Sequence, residues 1–85
     1  MAKASVVLMW PSGSDTLTRE MELPFVFTEM QLELQVGGGP VELKVIGGRW
    51  HEGSGVMIVD VVLLRDFDEK EYRPYFAAAT EWKKD

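Results

Sequence analysis

The chain has 85 residues, of which 46% are hydrophobic and 27% are charged, and it contains no cysteine. This length and composition predict one globular domain, and the lack of cysteine excludes disulfides and thiolate metal sites. The net charge of −5 argues against a protein that binds along nucleic-acid phosphates, because such proteins are basic.

From the first residues of the sequence we expect no signal peptide. The apolar run at residues 6–10 is too short for the hydrophobic region of a signal sequence. No stretch approaches the roughly 20 apolar residues of a transmembrane helix. We therefore expect a cytoplasmic protein with no membrane partner.

The first half of the chain predicts two hairpins. Residues 4–10 and 16–23 alternate between two faces and are separated by a Pro-Ser-Gly-Ser-Asp turn, as in an antiparallel hairpin with one solvated face. Pro24 ends the second strand, and Phe25-Val26-Phe27 form an apolar corner that we expect to plug one end of the core. Residues 30–36 and 41–45 then alternate around a Gly-Gly-Gly-Pro loop, which predicts the second hairpin.

The alternation changes phase after Val45. Without an interruption, Arg49 and His51 would continue the core face and Trp50 would lie outside, yet Arg and His are poor core residues. A β-bulge at Gly47-Gly48 restores the pattern and brings Trp50 inward. The turn at residues 52–55 then leads into the strand on which the chain is centred.

Residues 56–64, VMIVDVVLL, are apolar at every position except Asp60. A run of this kind is typical of a strand buried on both faces. It is longer than the usual strand of about five or six residues. We therefore expect it either to bend across a small barrel or to meet something beyond its own fold.

The last part of the chain predicts a helix. Asp68 is a candidate cap for a turn through Tyr72. Residues 75–84 have helical spacing of their apolar side chains, with a sixth strand as the alternative. In total we predict a mainly β fold: a five-stranded antiparallel rolled sheet or small barrel built from two hairpins plus a long central strand, with one short C-terminal helix.

The segment Arg49-Trp50-His51-Glu52 is the best candidate for a ligand-binding or partner-binding site. It combines the only histidine of the chain with a guanidinium, an aromatic ring and a carboxylate, all of which are useful in binding. No nucleophile with a base partner accompanies it, so we predict no catalytic residues, no metal site and no cofactor. In the structural interpretation, Trp50 belongs to the core and the other three side chains decorate a solvated strand end.

Asp60 is the second candidate. Burying an unpaired carboxylate is costly, so Asp60 either faces solvent or meets an arginine such as Arg65 or Arg73. The functional interpretation is an acid held in a cavity.

The apolar content predicts an interface. One long apolar strand, three Trp and five Met are difficult to bury in a single core of this size. The remainder would form a surface patch of the kind that marks association, and a two-fold homodimer is the simplest outcome.

The segment ELKVIGGRWHEGSGVMIVDVVLLRD places an Arg-Trp-His strand end before a long aliphatic strand. In this it resembles small uncharacterised bacterial proteins carried on mobile DNA, such as phage or integron gene-cassette products. The resemblance implies a cytoplasmic, often dimeric protein, and it transfers no site residues.

Three functions fit these features. The first is a small non-enzymatic binding or interaction module, homodimeric, with another protein or a small ligand as its partner; nucleic acid is disfavoured by the charge. The second is an acidic inhibitor or nucleic-acid mimic of a mobile element, suggested by glutamates on outward faces: Glu20, Glu22, Glu29, Glu33 and Glu42. The third is a small ligand-binding barrel or minimal enzyme using His51, which requires His51, Arg49 and Asp60 to share one pocket.

Overall fold

The computed structural model describes residues 2–13 and 15–84. Its strands are β1 (Ala2–Met9), β2 (Thr16–Leu23), β3 (Gln31–Val36), β4 (Gly39–His51), β5 (Val56–Leu63) and β6 (Lys83–Lys84). A 3-10 turn at Asp66–Asp68 leads into the helix α1 (Glu69–Ala78). Within these residues, no helix has the length and apolar character needed to cross a membrane.

The strands form one sheet in the order β3-β4-β5-β1-β2-β6. Both predicted hairpins are present, and β5 lies in the middle of the sheet as expected. The prediction of five antiparallel strands was wrong in two respects, because β6 adds a sixth strand and β1 pairs with β5 in parallel. β4 and β2 occupy the other edges of β5 and β1, so β1 and β5 pair through their remaining edges. The result is a curled half-barrel sheet whose end strands, β3 and β6, are not neighbours.

One face of this sheet, the inner face, holds the core. Every second residue of the central strands is buried there, which confirms the alternation read from the two hairpins. On the central strands β1, β4 and β5, the fully or almost fully buried residues of this face are Ala4, Val6, Leu8, Val41, Leu43, Val45, Val59, Val61 and Leu63. The opposite, outer face of β5 is only half-buried, so the prediction of burial on both sides of this strand is not met within one chain.

The predicted bulge is present one residue earlier than expected. The register between β4 and β5 shifts between Val45 and Gly47, so Ile46 is the extra residue and is 42% exposed. The shift moves Trp50 to the inner side of the strand, as the phase change indicated. The prediction that Trp50 belongs to the core was nevertheless wrong, because β4 continues past the end of the core and leaves this ring 62% exposed.

The helix begins and ends earlier than the predicted range of 75–84. It covers Glu69–Ala78 and continues through Pro74, and the following Ala79 has an extended backbone. The chain leaves the helix there because Trp82 turns into the core and Lys83 pairs with Thr18 of β2. Tyr72 and Phe76 are buried against the inner face, and Phe76 packs edge-on between Trp10 and Trp82. The alternative of a sixth strand is therefore realised only at Lys83–Lys84.

Candidate interaction surfaces

The four candidate residues Arg49, Trp50, His51 and Glu52 lie at the outer tip of the β4–β5 hairpin, and all four are exposed. Arg49 lies opposite Ile58 of β5, while His51 lies opposite Val56. Because side chains alternate along a strand, Arg49 and His51 project from the outer face and Trp50 from the inner side. The segment therefore divides between two surfaces.

His51 stabilises the turn that follows β4. Its Nδ1 atom lies 2.9 Å from Oγ of Ser54 and accepts a hydrogen bond of 3.3 Å from the backbone N–H of Ser54. Its carbonyl oxygen accepts the N–H of Gly55 at 2.9 Å. The spacing of His51 and Ser54 in the sequence was the available signal for this turn.

Asp60 lies half-buried in the middle of the outer face, between Gly47 of β4 and Val7 of β1. Asp60 is partly exposed on this face, and the two arginines considered as alternative partners pair with other residues. Arg65 donates to Asp68 at 2.9 Å, and Arg73 donates to Glu69 at 2.8 Å. Asp60 forms no salt bridge with any residue of the described ranges. It shares the outer face with Arg49 and His51, on two paired strands of an open sheet.

An exposed aromatic surface occupies the end of the sheet where β5 begins. We call it the aromatic end and define it by Phe25, Phe27 and Trp50, which are 59%, 55% and 62% exposed. The rings of Phe25 and Phe27 stack on each other with centroids 5.8 Å apart and an angle of 11° between their planes. Trp50 lies on the same side of the sheet, opposite Met57 in the β4–β5 register.

Val26 anchors this corner, and the two flanking rings are turned outward. A cavity of about 140 Å³ is lined there by Val26, Phe27, Thr28, Val45, Gly48 and Met57. Gly48 lies beside Val26 and Met57: a β-carbon at this position would be in ordinary contact, 3.8 Å from Cγ1 of Val26 and 3.8 Å from Sδ of Met57. The expected plug is thus formed by Val26 alone, and the prediction for Phe25 and Phe27 was wrong.

The second apolar surface lies on the outer face of the sheet. We call it the apolar band; it consists of half-buried side chains on β1, β5 and the residue after β5: Val7, Met9, Ile58, Val62 and Leu64. The helix and the corner at residues 24–29 both pack on the inner face. No helix or strand among the described residues forms a second layer over the band.

Charged residues flank the apolar band on both sides. Glu20 and Glu22 are exposed on β2 at one side. Glu33 and Glu42 face each other across β3 and β4 at the other side. Basic residues interrupt this acidic frame. They include Lys44, whose Nζ atom lies 3.8 Å from Oε2 of the exposed Glu29, Arg49, and Lys3, which is exposed opposite Glu22. The outward-facing glutamates predicted from the alternation are confirmed.

A polar network that the sequence did not reveal ties the β1–β2 turn to the helix. Arg73 donates to Glu69 at 2.8 Å and to Asp15 at 3.1 Å, and its guanidinium carbon lies 4.5 Å from the ring centroid of Trp10. Ser12 donates to Glu69 through its hydroxyl at 2.8 Å and its backbone N–H at 3.1 Å. The hydrogen bonds from Arg73 hold the pKa of Glu69 below its ordinary value. Helix and turn are far apart in sequence, so no local pattern indicates this contact.

Within residues 2–13 and 15–84, no three His, Asp or Glu side chains lie together as a possible metal site. Comparisons of the chain with protein-family models, with curated proteins and with solved structures found no match.

Proposed function

We propose that this chain is a small non-enzymatic interaction module that acts as a homodimer and binds another protein through its aromatic end. The observation that carries the proposal is the exposure of Phe25, Phe27 and Trp50 at one end of the sheet. Aromatic residues are enriched at protein interfaces and dominate their binding energy.

The size of the aromatic end supports a binding role. Each ring buries about 150–250 Å² when it is fully covered, so three rings exposed by more than half offer roughly 270–450 Å². Patches of about this area on monomeric proteins are often functional. The stacked pair also holds its shape before binding, which reduces the entropy lost when a partner orders the surface.

A peptide selection with a matched control tests this proposal. A random peptide library displayed on phage is selected on the wild-type protein after depletion on the triple variant F25S/F27S/W50S. We expect peptides with apolar anchor residues whose binding weakens at least about tenfold on W50A, in line with the loss of a hot-spot ring. The control is Phe67, which is 77% exposed but follows the opposite end of β5.

Binders that lose affinity equally on F67A and W50A would contradict the proposal, since they would recognise exposed rings in general. A selection that yields only peptides insensitive to all four aromatic positions would also contradict it. Circular dichroism of each variant confirms that the comparison is made between folded proteins.

An acidic inhibitor or nucleic-acid mimic is the second candidate function. The observation that favours it is the placement of Glu20, Glu22, Glu33 and Glu42 on one face of the sheet. Such a mimic binds a basic nucleic-acid-binding protein, and its affinity falls steeply with salt. Titration of a basic DNA-binding domain at low and high salt distinguishes the two functions, because binding at the aromatic end depends little on ionic strength.

A further inference from the structure

We infer that two copies of this chain pack together through the outer faces of their sheets, with Arg49 of each copy paired with Glu20 of the other. The two-fold axis runs parallel to the strands, between β1 and β5. This inference rests on the proposed homodimer and names its interface. In this arrangement the second copy covers the apolar band of the first.

The composition of β5 supplies the first argument. The inner residues Val59, Val61 and Leu63 are buried by the chain itself. The outer residues Ile58 and Val62 have the same apolar character but remain half-buried. A strand that is mostly apolar on both sides is characteristic of a sheet covered on both sides, and the elements described in the structure cover the inner face alone.

The register of the sheet supplies the second argument. Arg49 of β4 lies opposite Ile58 of β5, Ile58 lies opposite Ser5 of β1, and Ser5 lies opposite Glu20 of β2. These residues form one row across the outer face, with a cation at one end and a carboxylate at the other. Both charged side chains are exposed.

A two-fold rotation places the positive end of this row opposite the negative end of the same row in the second copy. An axis in the interface and parallel to the strands places β4 of one copy over β2 of the other and leaves the position along the strands unchanged. Arg49 therefore meets Glu20 of the second copy, and symmetry repeats the pair. Sheets packed face to face keep their strand directions within about 30° of each other, so both pairs stay in corresponding rows.

The available area is sufficient for a specific dimer. Four strands about 4.8 Å apart and eight residues long at about 3.3 Å per residue give a face of roughly 500 Å². Two such faces in full contact would bury about 1,000 Å², which is about the minimum for a biological interface. The apolar band lies in the centre of this area together with Asp60, and Arg49 and Glu20 lie toward its sides, where interfaces are more polar.

Asp60 fits into the same arrangement. It lies one row from Arg49 on the adjacent strand, at the diagonal distance of about 7–8 Å that long side chains can bridge. Arg49 is thus placed to interact with Asp60 of its own copy and with Glu20 of the second copy. A carboxylate covered by the dimer would keep a cationic neighbour, which lowers the cost of its burial.

A charge-exchange experiment tests this interface by sedimentation velocity over a dilution series. We expect the wild-type protein to be a dimer, and R49E and E20R each to weaken self-association at least about tenfold, because each juxtaposes like charges. The double variant R49E/E20R is expected to recover affinity to within about threefold of wild type, because the pairs are restored with reversed sign. The controls are K70E and E71R, at exposed positions on α1, which should leave the dissociation constant unchanged.

A dimer that is insensitive to both single reversals, or that the double variant fails to restore, overturns this interface but leaves a homodimer intact. A wild-type protein that stays monomeric at all concentrations overturns both this inference and the homodimer. Loss of dimerisation in the control variants alone would place the interface on the helix side and also overturn it. The peptide selection at the aromatic end is independent of all three results.

Discussion

Gly37 lies so close to the backbone of Tyr75 that a β-carbon at residue 37 would be only 2.2 Å from the Tyr75 carbonyl oxygen. This contact joins the β3–β4 turn to α1. Gly37 also has a φ of 54°, a conformation that costs a residue with a side chain about 1–3 kcal/mol. We therefore expect Gly37→Ala to destabilise the protein by more than about 2 kcal/mol, because backbone strain and a clash with main-chain atoms add together.

Urea denaturation checks this prediction, with Gly38→Ala as the matched control. A β-carbon at residue 38 would meet only the Tyr75 ring, at 3.7 Å, which is an ordinary contact. The control should therefore change the free energy of unfolding by less than about 1 kcal/mol. Equal losses in the two variants would show that the turn does not require glycine specifically at residue 37.

Arg73 should contribute more to stability than an ordinary surface ion pair. It donates to Glu69 and Asp15 and stacks on Trp10, whereas exposed pairs are typically worth about 0.2–1 kcal/mol. We expect Arg73→Met to lower the unfolding free energy by more than about 1 kcal/mol in urea denaturation. Arg73→Lys keeps the charge but loses the forked geometry, so it should recover only part of the loss; full recovery would contradict the role of that geometry.

The sequence predicted those features of the fold that depend on neighbouring residues, and it did not predict those that depend on contacts between distant segments. The two hairpins and the bulge after Val45 depend on alternation over a few residues, which can be read directly. The helix boundaries, the parallel β1–β5 pair and the Arg73 network depend on contacts between distant segments, which no local pattern encodes. The exposure of Trp50 was mispredicted for a related reason, since the phase of the strand gives the side of the sheet but not where the core ends.

The hydrogen bonds to Glu69 should make stability depend on pH in the acid range. Because the pKa of Glu69 is lowered in the folded state from its ordinary value of 4.5, its contribution is fully present above the pKa of the unfolded chain. The contribution is lost as the pH falls through the lowered folded pKa. We expect the unfolding free energy, measured from pH 6 down to pH 2, to fall less steeply in Glu69→Gln than in wild type. Glu71→Gln, at an exposed position on the same helix, is the control. An identical slope in Glu69→Gln and wild type would contradict a linkage through this carboxylate.

The corner at the aromatic end predicts an unusual order of stability effects. Val26 packs near Gly48 and Met57, while Phe25 and Phe27 are 59% and 55% exposed. Removing either exposed ring should therefore cost less than about 0.5 kcal/mol, whereas Val26→Ala should cost about 1 kcal/mol, because it removes partly buried methyl groups that pack against the core. Thermal unfolding of the three alanine variants measures this order. A larger loss of stability in Phe25→Ala or Phe27→Ala than in Val26→Ala would show that these rings pack in the core. The proposal that they bind a partner would then lose its support.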